Sequence, residues 1–235
     1  MVAPFLSHGS IPTSVKAAVV LLVSLVLAPV VQVLEPSMVF DFSGIAVAAR
    51  ELSIGLMIGA SMRLVHSAAE LAGGVIGVKS GLAFASVYDH QAGAFGDPLS
   101  RFFQYCALMV FIGINGHMLL LSAIANSFSA IPVGLTFDFS GHWLRDILKL
   151  SGGIFGYGIL LLLPLLATLF VVNLALGVLA RSAPQMNIFS VGFQITLLVT
   201  FMLIVPSLGG FSRVLEGFYE DSFLMVSQWI EAPAP

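Results

Sequence analysis

The side chains that could carry chemistry are few in this 235-residue chain, and their spacing fits no catalytic or metal-binding pattern. No HExxH motif or zinc-site spacing occurs among the histidines, which are His8, His66, His90, His117 and His142. A GxSxG nucleophile motif, a Walker A loop and a GxGxxG turn after a strand are also absent. The sequence therefore predicts a protein that is not an enzyme, with no cofactor and no bound metal.

Glu51 is the carboxylate whose position needs an explanation, because it lies in an apolar run on the same helical face as Gly55, Gly59 and Arg63. An ionised carboxylate at the middle of a bilayer costs about 2.5–3.5 kcal/mol, so Glu51 should meet a partner or water. Arg63 is too far along the face to pair with it, and Arg50 points about 100° away. Glu51 therefore either lies at the interfacial end of its helix or makes a buried polar contact to another helix or subunit.

The composition places the chain among membrane proteins. It is 58% hydrophobic and only 9% charged, with a mean hydropathy of +1.04, whereas soluble domains carry about 25% charged residues. The net charge of −3 and the scattered lysines and arginines argue against nucleic-acid binding. The chain should therefore contact membrane lipids and not nucleic acid.

Six apolar runs dominate the chain, and most reach the roughly 20 residues of a membrane-spanning helix. They are Val15–Leu34, Phe42–Met62, Leu71–Val87, Phe102–Ala125, Leu150–Ala180 and Ile188–Leu208. The fifth run exceeds one span, so it should tilt, bend at Pro164 or extend beyond the lipid. A polar break at residues 138–149 divides the chain into two parts. The tail from Arg213 has an amphipathic pattern and is predicted to lie outside the hydrocarbon or against a partner.

Glycines recur at a spacing of four residues, which aligns them on one helix face and lets another backbone approach closely. The sets are Gly55 with Gly59, then Gly73, Gly77 and Gly81, and finally Gly152 with Gly156. Two interpretations remain open at this point. The grooves receive either other helices of the same chain or helices of neighbouring subunits.

Two interruptions of the apolar pattern stand out. The segment 81–98 is rich in glycine and ends in Asp-Pro, so it is either a pore element or an ordinary loop. In the stretch 178–194, Arg181 ends one helix and Pro184 prevents its continuation. Asn187 is placed to cap the next helix, which begins at Ile188, and the amide of Gln185 can bond backbone or a neighbour. This second break is predicted to be architectural, the tip of a helical hairpin.

Five blocks of the sequence resemble the FliR family of flagellar export proteins and follow the family's order. They are IPTSVKAAVVLLVSLVLAP, RELSIGLMIG, LAGGVIGVKSGLAFASVYD, NGHMLLLSAIANSFSAIPVG and LLPLLATLFVVNLALGVLARSAPQMNIFSVGF. The resemblance covers about residues 3–220, nearly the whole chain. The virulence-system homologue, the SctT family, is a more distant relative.

The resemblance implies an all-α integral membrane protein of bent, stacked helical hairpins. It implies a FliP-like part over residues 1–138 and a FliQ-like hairpin with an amphipathic tail over 139–235. Together with FliP- and FliQ-like proteins, and beside FlhB- and FlhA-like proteins, such a chain forms a type III secretion export gate. The gate passes unfolded rod, hook and filament proteins across the bacterial inner membrane at the flagellar basal body.

The resemblance also assigns roles to two segments. The family's channel plug corresponds to the loop near 81–98, and its candidate residues are Tyr88, Asp89, His90, Gln91, Ala92, Gly93, Ala94, Phe95 and Gly96. The hairpin tip corresponds to Arg181, Pro184, Gln185 and Asn187, and faces the cytoplasmic entrance of the gate. The alternatives are a subunit of a virulence secretion apparatus and, with less support, a secondary transporter.

Three features depart from the family's pattern. The apolar helix that the family has ahead of residues matching Ala3 is missing here. The family's Asp-Pro after the plug block is Asp89–His90, which alters the expected loop geometry. The family's Gly-Phe-Pro is Gly192–Phe193–Gln194, which restores a backbone donor and allows a straighter helix start.

Overall fold

The structure is a computed structural model that describes residues 11–31, 42–82, 97–133, 142–183 and 188–231. Within these ranges the chain forms six α-helices and no strand, which confirms the predicted all-α fold. The helices are α1 (Thr13–Leu27), α2 (Phe42–Ser80), α3 (Pro98–Gly113), α4 (Gly116–Ala130), α5 (His142–Ser182) and α6 (Ile188–Glu231).

Helix α2 joins two apolar runs that the sequence pattern treats as separate. The polar residues between the runs, Arg63, His66 and Glu70, recur every three or four residues and so lie along one side of a helix. The other side carries Met62 and Val65, which are fully buried. A helix with one polar stripe has no reason to end there, and α2 continues to Ser80.

The fourth apolar run is interrupted between α3 and α4. Asn115 has φ +56°, a left-handed conformation, and its N–H donates to the Ile112 carbonyl at 3.0 Å. A Cβ on Gly116 would lie 2.5 Å from the Phe111 ring and 2.9 Å from the Phe111 carbonyl oxygen. Asparagine tolerates the left-handed region and glycine leaves space for the aromatic ring, so this pair of residues permits the break.

Helices α5 and α6 are longer than a single span because both continue through an internal proline, Pro164 in α5 and Pro206 in α6. Next to the first of these, the Thr168 hydroxyl donates to the Pro164 carbonyl at 3.0 Å. The amphipathic tail is continuous with α6 and does not form a separate helix. Leu215 and Phe218 of its apolar stripe are fully buried, whereas Leu224 is exposed.

Three helical segments are long and apolar enough to cross a membrane, namely Gly44–Ser80, Arg145–Ser182 and Val191–Glu231. The pair α3 and α4 adds a fourth if it forms one broken span. Many large apolar side chains are exposed along these helices, such as Leu163 and Val205. This pattern suits helices whose outer faces meet lipid or other membrane proteins.

The chain forms two compact units, and their boundaries cut through the long helices. Unit 1 comprises residues 1–65, 111–151 and 219–235. In it, the rings of Phe111 and Tyr219 lie 5.4 Å apart, and both residues are buried. The indole N–H of Trp229 donates to the Asp146 carboxylate at 3.1 Å, and Lys149 lies 3.7 Å from the same group.

Unit 2 comprises residues 66–110 and 152–218. Its core is aromatic and aliphatic, with the Phe103 and Phe211 rings 5.0 Å apart and the Tyr157 and Phe218 rings stacked at 4.1 Å. Such pairs contribute about 0.5–1.5 kcal/mol beyond the burial of their area. The predicted boundary near residue 138 concerns resemblance to two other proteins, and it stays a prediction.

Candidate functional site

The candidate plug, residues 88–96, lies outside the described residues, but both of its flanks are described. One flank is the end of α2 with Gly81 and Leu82, and the other is Asp97 with the start of α3. We call these two flanks, residues 73–82 and 97–100, the loop feet. Both belong to unit 2. Their contacts determine where the intervening segment leaves the helices and where it returns.

The first foot depends on Gly81, which has φ +82° and ends α2 in the left-handed conformation. Its N–H donates to the Val78 carbonyl at 3.2 Å, as in a helix C-cap. A Cβ at this position would lie 2.5 Å from the ring of Phe193 on α6. Both the backbone conformation and the aromatic neighbour therefore require glycine here.

Ser80 connects this foot to its surroundings. Its hydroxyl donates to the Gly77 carbonyl at 3.1 Å, and the Leu82 N–H lies 3.5 Å from the same hydroxyl oxygen. The Ser80 carbonyl lies 3.4 Å from the hydroxyl of Thr196, which is also within 3.0 Å of the Gly192 carbonyl. Ser80 and Thr196 are fully or almost fully buried, so α2 and α6 meet here through polar groups within an apolar unit.

The second foot is Asp97, which immediately precedes Pro98 at the first position of α3. An aspartate before a proline is typical of a helix N-terminus, because proline needs no hydrogen-bond acceptor there and the carboxylate faces free N–H groups. The Asp97 carbonyl accepts from the Arg101 N–H at 3.2 Å. The carboxylate packs directly onto Gly77 of α2, where a Cβ would overlap it.

Burial of this carboxylate raises the pKa of Asp97 above its ordinary value. The N–H groups of Ser100 and Leu99 and the Ser100 hydroxyl oppose the rise. None of them meets the geometry of a full hydrogen bond, so both carboxylate oxygens lack a hydrogen-bond partner among the described residues. Asp97 thus holds the start of α3 against α2 at an electrostatic cost.

Three of the predicted glycines lie at the loop feet, where each contacts another segment of the chain. A Cβ on Gly73 would lie 2.5 Å from Ser100 Cα and 2.6 Å from the Leu99 carbonyl oxygen. Gly77 receives the Asp97 carboxylate, and Gly81 receives the Phe193 ring. At these positions the groove is filled by other parts of the same chain, which is the first of the two interpretations that the spacing left open.

The other predicted glycines have different surroundings. A Cβ on Gly55, Gly152 or Gly156 would meet no atom within 4 Å, and all three residues are exposed. Gly55 lines, together with the buried Gly59, an apolar groove of about 640 Å³ in unit 1. These positions stay candidates for contacts with another subunit or with lipid.

The surroundings of Glu51 correct one part of the sequence interpretation. Its carboxylate Oε1 lies 3.5 Å from Nη1 of Arg50, although the two Cα–Cβ directions diverge. The arginine side chain is long enough to reach around the helix. The Arg50 side chain is only 8% exposed, and its Nη2 donates to the Pro132 carbonyl, just beyond the end of α4, at 3.3 Å.

The Arg50 site is incompletely satisfied. Nε and Nη1 of Arg50 and Oε1 of Glu51 are buried and have no hydrogen-bond partner among the described residues. The favourable position of a cation next to the carbonyls at a helix C-terminus contributes to holding the arginine there. Sequence reasoning missed Arg50 as a buried residue, because an arginine at this point looks like the polar end of a span.

At the predicted hairpin tip, α5 ends at Ser182 and α6 begins at Ile188, which confirms that a short break separates two long helices. Arg181 lies exposed in the last turn of α5, and the Ala183 N–H donates to the Leu179 carbonyl at 2.9 Å. Pro184, Gln185 and Asn187 lie outside the described residues. In the part of the chain that is described, no three His, Cys, Asp or Glu side chains form a cluster that could hold a metal.

Comparison with known proteins identifies the family. The profile of the bacterial export proteins, family 1, matches residues 1–222. The flagellar biosynthetic protein FliR of Pectobacterium carotovorum is 35% identical over 91% of this chain and 82% of its own length. FliR of Escherichia coli K12 is 32% identical over 97% and 87%, and FliR of Caulobacter vibrioides is 26% identical over 94% and 88%. The chain therefore belongs to the FliR family of bacterial export proteins.

Proposed function

We propose that this chain is a non-enzymatic subunit of the flagellar type III secretion export gate. With FliP- and FliQ-like proteins it forms the channel through which unfolded rod, hook and filament proteins leave the cytoplasm. The observation that carries the proposal is the family match across residues 1–222, in a chain with three or four helices able to span a membrane. A protein-conducting channel needs subunit contacts and a closable path, and it needs no catalytic group.

The chain's apolar helices and its family place it in a membrane. We further propose that this membrane is the bacterial inner membrane, at the flagellar basal body, beside FlhB- and FlhA-like proteins. In this proposal, residues 1–138 form the FliP-like part and 139–235 the FliQ-like hairpin. The hairpin tip around Arg181 then faces the cytoplasmic entrance of the gate.

We also propose that residues 88–96 plug the channel. The loop feet support this assignment. Gly77 contacts the Asp97 carboxylate and accepts a hydrogen bond from Ser80, so the segment 83–96 leaves and returns at neighbouring points. Surface loops whose ends lie close together are frequently functional.

The gate assignment is tested by complementation. In a bacterium whose own fliR gene is deleted, expression of this chain with its cognate FliP- and FliQ-like proteins should restore swimming in soft agar and secretion of hook protein. The tagged chain should also purify together with both partners. A chain that is stably produced in the membrane but purifies alone would refute the proposal.

The plug assignment needs a separate measurement, because assembly can succeed with an open channel. Deletion of residues 88–96 should raise leakage of small solutes through the gate, measured as growth sensitivity to a normally excluded compound. Replacement of the same nine positions by glycine and serine keeps the length and tests the side chains. Wild-type permeability in both variants, with normal co-purification of the partners, would contradict the plug but not the gate.

A further inference from the structure

Lys79 lies in the last turn of α2 beside an apolar groove on α5, within unit 2. The groove has a volume of about 370 Å³, and its walls include Leu163, Leu166 and Phe170. Asn173 lines the same groove and is its other polar side chain. Lys79 and Asn173 are both exposed, so this surface combines a cation, an amide and an apolar channel.

The charge of Lys79 is not compensated within the described residues. Lys79 takes part in neither of the ion pairs described above, Arg50 with Glu51 and Lys149 with Asp146. From residue 150 to residue 180 the neighbouring helix α5 contains no charged side chain at all. Among the described residues the ammonium therefore faces an apolar helix with no anion beside it, and it needs an anion from elsewhere, or water.

The length of the uncharged part of α5 indicates the level at which this cation lies. Thirty-one helical residues span about 46 Å, whereas the hydrocarbon layer is about 30 Å thick. Part of the stretch must therefore lie among lipid headgroups. Asn173 is the only amide in it and is followed eight residues later by Arg181, so the end near Asn173 suits the headgroup level.

The apolar walls of the groove face outward. Leu163 is 53% exposed and Phe170 is 65% exposed, and both lie in the uncharged part of α5. A hydrocarbon chain laid against such side chains makes van der Waals contacts with them, which are individually small and add up along the chain. The groove thus offers an apolar surface that leads to a cationic, hydrogen-bonding end.

We propose that this groove binds an anionic phospholipid. The phosphate contacts the ammonium of Lys79 and the side-chain amide of Asn173, and one acyl chain lies along Leu163, Leu166 and Phe170. Basic pockets beside membrane helices bind anionic headgroups in this way, because the cation and the phosphate are both partly removed from water. The inference does not depend on the export function, since it concerns how the chain is held in its bilayer.

The experiment uses the full chain, purified with its partner subunits and delipidated in detergent. Phosphatidylglycerol or phosphatidylcholine is titrated, and the bound lipid is counted by native mass spectrometry. The wild type should bind phosphatidylglycerol more tightly. Lys79→Gln should weaken phosphatidylglycerol binding about fivefold and leave phosphatidylcholine nearly unchanged, because one surface cation contributes about a factor of five. Phe170→Ala should weaken both lipids.

Lys149→Gln is the matched control, because it removes the same charge from an exposed lysine that is already paired with Asp146. It should change phosphatidylglycerol binding less than twofold. Equal effects of the two lysine variants, or no headgroup preference in the wild type, would overturn the proposal. Loss of a partner subunit from Lys79→Gln with unchanged lipid binding would also overturn it, and would identify the occupant as protein.

Discussion

Alanine substitution of two helical glycines should have different effects on stability. Both Gly73 and Gly152 lie inside helices, where replacement of glycine by alanine stabilises by about 0.5–1 kcal/mol because the unfolded chain loses less entropy. A Cβ on Gly152 enters open space. A Cβ on Gly73 would lie 2.5–2.7 Å from Ser100 Cα, the Leu99 carbonyl oxygen and the Ser100 nitrogen, all of them backbone atoms.

Backbone atoms cannot rotate away as a side chain can, so α3 must shift relative to α2, at a cost of about 1–3 kcal/mol. Gly73→Ala should therefore be neutral to destabilising by about 2 kcal/mol, and Gly152→Ala stabilising by up to about 1 kcal/mol. Gly74→Ala lies between them, because its new Cβ would meet only the Ser100 hydroxyl at 3.2 Å. The difference between the first two variants isolates the packing cost.

The assay is unfolding of the purified chain in mixed micelles of dodecyl maltoside and increasing SDS, followed by far-ultraviolet circular dichroism. The two tryptophans, Trp143 and the buried Trp229, both belong to unit 1, so their fluorescence provides an independent signal from that unit. If Gly73→Ala proved as stabilising as Gly152→Ala, the close approach of α3 to α2 would be wrong. Gly156→Leu is a separate test of the exposed glycine face. If this variant were as stable as the wild type but no longer purified with the FliP- or FliQ-like protein, the face would be a subunit contact.

Three further changes test the other contacts. Arg50→Met should destabilise the chain by about 2 kcal/mol, which is below the usual range for a buried ion pair because Glu51 is 26% exposed. A second substitution, Glu51→Gln, should restore most of the lost stability, measured in the same SDS titration. Because the pKa of Asp97 is raised in the native state, protonation of Asp97 stabilises the native state relative to the unfolded one. This stabilisation is complete below pH 3.8, the ordinary pKa of the group, and it is lost as pH rises through the native pKa. Asp97→Asn keeps the shape of the side chain and removes the titrating group, so it should abolish this pH dependence of stability. Identical profiles of unfolding free energy against pH for the wild type and the variant would refute the prediction. Gly81→Ala should destabilise by at least about 1 kcal/mol because alanine disfavours the left-handed conformation, and the contact of its Cβ with the Phe193 ring adds to this cost. Phe193→Ala in the Gly81→Ala background should remove the cost of the ring contact and leave the cost of the backbone conformation.

Several features could be read directly from the residues. The helical positions followed from the apolar runs, because a backbone in lipid must satisfy its hydrogen bonds within its own segment. The hairpin break also followed, since Pro184 cannot continue a helix and the polar residues around it interrupt the apolar pattern. The start of α3 was not predicted, because the pattern assigned Asp97–Pro98 to the end of a loop and began the apolar run at Phe102, although this pair is a typical helix N-terminus.

Other features were not readable in this way. The pattern separated two runs that α2 joins, because polar residues at helical spacing interrupt hydropathy without interrupting a helix. It also treated the tail as distinct from α6, although proline and glycine within an apolar helix did not end it. Arg50 looked unsuited to pair with Glu51, because spacing describes the direction of Cβ and not the reach of a long side chain.

By itself, the sequence determined the membrane-protein class, the all-α fold and the family, because these depend on composition, on local periodicity and on the order of short motifs. Only the tertiary structure decided which glycines are occupied by the chain's own segments. Gly73, Gly77 and Gly81 are filled by α3, Asp97 and Phe193, whereas Gly55, Gly152 and Gly156 are open. Four-residue spacing makes a groove in either case, and what enters it depends on contacts between residues far apart in the chain.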